Sequence, residues 1–254
     1  MSALLLAAAA AAQNPIICAD RPAKANGVCT VSAGHWQLEV SAIDRIHDAH
    51  GGTRTDITSF GSTVIKLGLS ESADVEVGIS PRIEIRNVAA GRRDRSSGFG
   101  DVVVRYKRRL SRADAGAQLA VIPFVKLPTA DHAIGNGEVE GGIAVPISFA
   151  TRSGVTVTFG PEVDILAHGD RHGYHAGLTN LINASAGVAP RLTLSAELWN
   201  NLNFDPAGTV RRFSLDVAAA FLASDSVQFD AGANLGLNRQ TPDLELYAGT
   251  SVRF

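Results

Sequence analysis

The feature that most constrains this chain is an alternation of apolar and polar residues with a period of two, which begins near residue 35. In the last segment, Leu244, Leu246 and Phe254 fall on one face, and Glu245 and Arg253 fall on the other. Successive side chains of a β-strand point to opposite faces, so the pattern predicts a strand with one apolar and one polar face. The pattern recurs and predicts twelve strands, near residues 35–45, 54–68, 74–86, 99–109, 116–127, 138–149, 154–167, 174–188, 191–202, 210–221, 226–238 and 243–254.

The length of these strands favours a membrane barrel over a soluble β-sandwich, which also alternates. Many predicted strands have ten residues or more, and a tilted strand needs about 9–11 residues to cross a bilayer. Short turns alternate with longer polar connections, including 46–52, 87–98, 129–137, 168–173 and 203–209. Bacterial outer-membrane barrels have an even number of strands, short periplasmic turns and longer outer loops. The expected fold is all-β, a transmembrane antiparallel up-and-down β-barrel of about twelve strands. A soluble β-rich periplasmic protein is the alternative.

Composition excludes several other classes of protein. The formal net charge of -2 gives no basic footprint for nucleic acid. A hydrophobic content of 45% is too high for a disordered chain. Beyond the N-terminus, no apolar run approaches the roughly 20 residues that a transmembrane helix needs, so a polytopic helical membrane protein is excluded.

The N-terminal region predicts export and a structural disulfide. Residues 1–12 are apolar and end in small residues, which indicates a signal peptide. Residues 13–34 would form a periplasmic segment, and residues 35–254 the barrel. Cys18 and Cys29 flank an irregular Pro- and Gly-containing stretch, and an oxidising periplasm favours a disulfide between them over free thiols.

Several short motifs, in this order, resemble one family. They are Gly34, His35, Gln37 and Glu39; Gly68, Leu69, Ser70, Asp74 and Glu76; Gly100, Asp101 and Lys107; and Leu127, Pro128 and Thr129. The chain resembles the outer-membrane transporter family often labelled as belonging to the MetA pathway of phenol degradation. The resemblance implies an outer-membrane pore or uptake protein and does not identify a substrate. The C-terminal residues 247–254 resemble the recognition signal of the barrel assembly machinery.

Charged residues on the polar face are the candidate solute site, because a bilayer forces charges away from its lipid face. The candidates on neighbouring strands are Glu76, Arg82, Glu84, Arg105, Lys107 and Lys126. In one interpretation they line a water-filled route and tune which solutes pass. In the other they pair across the lumen and brace a nearly closed barrel.

Two polar clusters fall in predicted outer loops. His168, His172 and His175 lie close to Asp170, and a metal site is conceivable there, but a solvated loop is favoured and no metal is predicted. The arginine-rich stretch 92–95 would either meet lipopolysaccharide phosphates or be solvated.

The expected function is passive passage of small, aromatic or hydrophobic solutes across the bacterial outer membrane, with no cofactor. A structural or closed barrel is the alternative. A rim enzyme acting on lipids is less favoured, because no Ser–His pair falls on the lipid face and no G-x-S-x-G elbow occurs. The expected partners are outer-membrane lipid and lipopolysaccharide, the assembly machinery and small solutes, without nucleic acid.

Overall fold

The computed structural model of the protein describes residues 17–112, 114–170 and 172–254. The predicted signal peptide, residues 1–12, lies outside these residues. Within them, every regular element is a β-strand, and no helix is long and apolar enough to cross a membrane.

The strands are numbered in chain order. They are β1 (Trp36–His50), β2 (Thr53–Ser70), β3 (Ala73–Ile79), β4 (Arg82–Ala89), β5 (Arg92–Gly98), β6 (Val102–Arg109), β7 (Ala117–Leu127), β8 (Glu140–Ala144), β9 (Ile147–Ala150), β10 (Val155–Phe159), β11 (Glu162–Ala167), β12 (Tyr174–Ala189), β13 (Leu192–Asn203), β14 (Val210–Ser224), β15 (Val227–Gly236) and β16 (Leu244–Arg253).

Four pairs of short strands are the halves of longer, interrupted ones: β3 with β4, β5 with β6, β8 with β9, and β10 with β11. Pro81, Pro146 and Pro161 lie at three of the interruptions. Proline has no N–H group to donate to a neighbouring strand, so the ladder breaks there. Counted this way, the described residues form twelve membrane-length strands, as the alternation predicts.

The sheet closes on itself, because β1 pairs antiparallel with both β2 and β16. Each other spanning strand pairs antiparallel with its chain neighbours. Closure removes the sheet edges, whose unpaired backbone N–H and C=O groups would find no hydrogen-bond partners in lipid. The prediction of an antiparallel transmembrane β-barrel is therefore confirmed.

The two ends of the barrel differ. One end, called here the turn end, contains the start of β1, the end of β16 and the turns 71–72, 110–116, 151–154, 190–191 and 225–226. The connections 51–52, 90–91, 128–139, 168–173, 204–209 and 237–243 lie at the other, the loop end. Two predicted outer loops are mostly strand. Residues 46–50 continue β1, and 87–98 form the hairpin of β4 and β5 around Ala90 and Gly91, both at positive φ.

A pair of irregularities reverses the facing of residues partway along β1 and β2. The register of β1 with β16 shifts between Ser41 and Ile43. On β2, Gly61 has a φ of +67°, which glycine adopts readily. A bulge adds one residue, so positions beyond it swap faces. Alternation counted straight through the sequence therefore assigns the wrong face to the residues beyond the bulge.

Candidate functional site: the barrel lumen

Residues 17–34, called here the plug, lie inside the barrel at the turn end. The predicted disulfide is confirmed: Cys18 and Cys29 are bonded and close the loop between them. The Gln37 side chain holds the start of this loop, because its amide oxygen accepts from the Cys18 N–H at 3.0 Å and its amide nitrogen donates to the Cys18 carbonyl at 2.7 Å. The described part of the segment expected to be periplasmic, residues 17–34, thus occupies the lumen.

Asp20 is the centre of the strongest contact between plug and wall. Its carboxylate accepts from Lys66 Nζ on β2 at 2.5 Å and from Lys107 Nζ on β6 at 2.6 Å. Lys66 also pairs with Glu39 on β1 at 2.6 Å, and Lys107 with Glu76 on β3 at 3.3 Å. The side chains of Lys66, Lys107 and Glu76 are at most 1% exposed. Buried charges of this kind are tolerated only when they are paired, so the cluster ties the plug to the wall.

The pairing also fixes the charge state of Asp20. Burial by itself would raise the pKa of this carboxyl, yet Lys107 and Lys66 lower the pKa well below its usual range. Asp20 therefore remains an anion, and an anchor, at the pH values that bacteria inhabit.

A second set of ion pairs holds the plug to the opposite side of the ring. Arg21 donates to Asp230 on β15 at 2.7 Å. Lys24 pairs with Asp216 on β14 at 2.8 Å, and its ammonium lies 4.5 Å from the centre of the Trp199 ring. Because these contacts lie across the lumen from Lys66 and Lys107, the plug bridges the barrel and does not lie along one wall.

Backbone groups of the plug are bound as well. The Ala25 N–H donates to Glu197 on β13 at 3.0 Å. The Val31 N–H donates to Asp74 on β3 at 2.8 Å. Arg105 on β6 donates to the side chain of Asn26 at 3.3 Å. The wall thus satisfies both charges and amides of an irregular segment, which would otherwise carry unpaired polar groups in the lumen.

Polar cavities remain on either side of the plug. One of about 250 Å³ lies between the plug and wall residues that include Thr158, Asn183 and Ser195. The other, about 280 Å³, is lined by Arg21 of the plug and by wall residues that include Asp44 and Arg105. The plug therefore narrows the lumen without filling it.

Of the predicted solute-site residues, Glu76, Arg105, Lys107 and Lys126 face the lumen. Lys126 pairs with Asp101 at 3.0 Å and with Glu140 at 3.2 Å. The structure divides these residues between two places, because Glu76, Arg105 and Lys107 lie against the plug while Lys126 lies near the loop end. Their binding of a solute stays a prediction.

Arg82 and Glu84 do not face the lumen, which corrects their predicted placement. Asp44 faces the lumen, since it pairs with Tyr247, whose ring lies 5.9 Å from the Arg21 guanidinium. Its neighbour Arg45 therefore faces outward. Cross-strand partners share a face. Arg45 pairs with Thr58, and Thr58 pairs with Glu84, so Glu84 on β4 also faces outward. The cause is the interruption at Pro81 between β3 and β4, which lies across from Gly61 in the register of both strands with β2.

The sequence interpretation missed Asp20, Arg21 and Lys24 as functional residues. The available signal was the presence of three charges inside a disulfide-closed loop directly before the first strand. Nothing in that local pattern specifies that the loop turns back into the barrel.

Histidines at the loop end make local contacts. The rings of His168 and His175 stack with centroids 5.4 Å apart, and His175 contacts Asn203 at 2.8 Å. A separate group, Asp48, His50 and Asp243, has ligand atoms close enough to hold a metal ion. Its His50 Nε2 lies 3.3 Å from an oxygen of each carboxylate, a distance that a simple ion pair also explains.

Comparison with known proteins places this barrel in a family. A family model described as "Putative MetA-pathway of phenol degradation" matches residues 19–254, which cover the plug from Ala19 onward and the whole barrel. The chain belongs to this family. No curated protein matches the chain in sequence.

Solved structures share the fold at low sequence identity. The COG4313 outer membrane channel from Pseudomonas putida F1 is 12% identical, with a TM-score of 0.73, over 92% of this chain and 100% of that one. The translocator domain of the autotransporter NalP from Neisseria meningitidis is 13% identical, with a TM-score of 0.54, over 90% and 91%. The β-domain of the Bordetella autotransporter BrkA is 14% identical, with a TM-score of 0.52, over 88% and 100%. These likenesses concern the fold.

Proposed function

We propose that this protein is a bacterial outer-membrane channel for small aromatic or hydrophobic solutes, closed at rest by its own N-terminal plug. One observation carries the proposal: a polar lumen crosses the barrel, and the segment inside it is held by ion pairs and amide hydrogen bonds. These contacts between plug and wall are non-covalent, so the plug can leave the lumen without any covalent bond being broken. The family description, which refers to phenol degradation, supports the solute class.

The proposed pathway begins at the loop end. Solute would enter the polar cavity bounded by Arg21 and Asp44 and pass the plug when its ion pairs with the wall loosen. Before that step, charged side chains of the lumen, such as Arg105 and Lys126, would bias which solutes reach the plug. A signal peptide in residues 1–12, insertion by the barrel assembly machinery and contact with lipopolysaccharide belong to the same proposal.

The second candidate is a permanently closed, structural barrel. The observation that favours it is the number of buried contacts on the plug, including Lys66 and Lys107 with almost no exposure. Channel and closed barrel differ in one property, which is whether the plug can move aside in the folded protein.

Solute flux into proteoliposomes separates the two candidates. The full mature chain would be reconstituted and uptake of radiolabelled phenol, benzoate and sucrose compared with that of protein-free vesicles and of vesicles carrying Asp20→Asn. Uptake of phenol and benzoate, faster in Asp20→Asn, is expected of the channel. The closed barrel would be established if uptake with the parent and with Asp20→Asn were no faster than in protein-free vesicles, while heat-dependent gel mobility showed that both proteins are folded.

A further inference from the structure

A group of arginines covers the outer wall of the barrel at the loop end. Beyond the bulges at Ala42 and Gly61, outward positions on β1, β2, β4 and β5 carry charges where apolar residues would be expected. The members of this group, called here the arginine surface, are Arg45, Arg54, Arg82, Arg86 and Arg95, with the acidic residues Asp56 and Glu84 between them.

Register shows that these side chains form one continuous surface. Asp56 pairs with Arg86 across β2 and β4, and Arg86 pairs with Arg95 across β4 and β5. Arg45 on β1 lies close to Asp56 on β2, and its guanidinium is 3.6 Å from the Asp56 carboxylate. Direct cross-strand partners lie about 5 Å apart, so neighbouring guanidinium groups can act on one ligand.

The arginine surface lies on the loop-end side of exposed apolar residues on the outer wall. Ile43 and Phe60 are the outward residues nearest to it on β1 and β2, and both are apolar and exposed. Next come Arg45 on β1 and Arg82, the partner of Phe60, on β4. On β1 and β2 the surface therefore begins where the outward apolar residues end, at the loop end, which is the outer end in bacterial barrels.

Two carboxylates on the outer wall, covered by the arginine side chains themselves, hold the arginines in place without using all of their donors. Glu84 accepts from Arg82 at 2.8 Å, from Arg86 at 3.2 Å and from Arg95 at 2.6 Å. Glu84 is 9% exposed, whereas each of these three arginine side chains is 56–58% exposed. A guanidinium has five N–H donors, so each one keeps donors for a ligand outside the barrel.

The charge balance calls for an anion. Five arginines surround two carboxylates, which leaves an excess of three positive charges at the membrane edge. Guanidinium groups match phosphate oxygens in bidentate geometry and are favoured in phosphate recognition. In an outer membrane the phosphates at this level belong to the glycolipid of the outer leaflet.

We infer that the arginine surface binds the phosphate groups of lipopolysaccharide, through its lipid A headgroup, while the apolar wall below packs against the acyl chains. This inference refines the sequence-based alternative in which the stretch 92–95 meets lipopolysaccharide. Of that stretch, Arg95 belongs to the surface, where it is held by Glu84, and the other arginines of the surface lie on β1, β2 and β4. The inference depends on the outer-membrane location in the proposed function but not on conduction.

Binding of purified diphosphoryl lipid A to the refolded full chain in detergent micelles tests this inference. Native mass spectrometry would compare the parent with the triple variant Arg82→Gln, Arg86→Gln and Arg95→Gln. We expect at least tenfold weaker binding in the triple variant and unchanged binding in Arg112→Gln, which removes an exposed arginine paired with Asp114 at the turn end. The corresponding triple lysine variant should bind with intermediate affinity, because it keeps charge but loses the bidentate fork.

Three outcomes would overturn the inference. They are parent-like binding by the triple glutamine variant, equal binding of lipid A stripped of its phosphates, and equal binding of phosphatidylglycerol with the same loss on substitution, which would mark a general anionic-lipid surface. Should the triple variant fail to fold, the single variants Arg86→Gln and Arg95→Gln decide in its place, and parent-like affinity in both overturns the inference. Conductance measured on the same samples reports separately on the proposed function.

Discussion

The interior cluster around Asp20 and the exterior arginine surface are both built from cations around carboxylates, but they differ in what they can do. In both, cations surround carboxylates at distances of 2.5–3.7 Å. Inside, Lys66 and Lys107 are at most 1% exposed and point at the plug. Outside, Glu84 is covered only by the side chains of Arg82, Arg86 and Arg95, which remain more than half exposed.

This difference in burial decides what each cluster can do. A charge withdrawn from water depends on its partner, so removing one member of a buried pair costs about 3–5 kcal/mol. An exposed pair contributes about 0–1 kcal/mol, because water and salt screen it. The inner cluster should therefore hold structure together, and the outer one should present charge to a ligand.

The largest effect should appear when equivalent cations are removed from the two clusters. Lys107→Met should lower the free energy of unfolding by about 3 kcal/mol, since it leaves three carboxylates of the inner cluster, those of Asp20, Glu39 and Glu76, to the single buried ammonium of Lys66. Arg95→Met should change the same quantity by about 1 kcal/mol or less. Denaturant unfolding in detergent, followed by tryptophan fluorescence, measures both. Equal losses would remove the contrast between the two regions.

The second effect concerns the plug alone. Asp20→Asn removes the plug's charge from the inner cluster and leaves Lys66 and Lys107 with their wall partners Glu39 and Glu76. Docking of the plug should weaken by up to about 3 kcal/mol, and the open probability in planar bilayers should rise by up to about a hundredfold. The exposed residue Asp114, changed to Asn, is the matched control and should leave the open probability unchanged.

The disulfide should act in the same direction with a somewhat smaller effect. Closing a short loop stabilises the ordered form by about 2–3 kcal/mol on the chain-entropy model. Reduction of the Cys18–Cys29 bond should therefore increase open probability and expose residues 17–34 to protease. The variant Cys18→Ser with Cys29→Ser should behave like the reduced protein and ignore the reductant. A response to reductant in that variant would assign the effect to something else.

The smallest effect sharpens the boundary between the inner and outer faces. In the Asp20→Asn background, Arg105→Gln should shift the reversal potential in a salt gradient toward cation selectivity, because it removes a positive charge from the lumen. Arg82→Gln removes the same charge from the outer wall and should leave the reversal potential unchanged. A matching shift in both variants would place Arg82 back in the lumen.

Much of the fold could be predicted from the sequence because the bilayer imposes a simple rule. The alternation of residues such as Leu244 and Glu245 predicts strands, and their length predicts a membrane barrel. The disulfide was predictable from Cys18 and Cys29 in an exported chain. These features depend on local spacing and on compartment, both of which are visible in a sequence.

The facing of β4 and the location of the plug could not be predicted in this way. Irregularities at Ala42, Gly61 and Pro81 reverse the faces along β1, β2 and β4. In the sequence, only the break in alternation at Ile43 is a trace of them. The contacts of Asp20 and Arg21 join residues far apart in sequence, such as Arg21 and Asp230. Such pairs depend on closure of the whole ring, which local pattern does not encode.

A charge swap between the plug and the wall tests most directly whether residues 17–34 close the lumen. Arg21 and Asp230 lie 2.7 Å apart, and the Asp230 side chain has no exposure. Single-channel recordings would compare Arg21→Asp, Asp230→Arg and the double variant. The plugged barrel predicts that each single swap opens the channel and that the double variant closes it again. A double variant whose open probability is as high as in the single variants, or higher, would contradict closure of the lumen by residues 17–34.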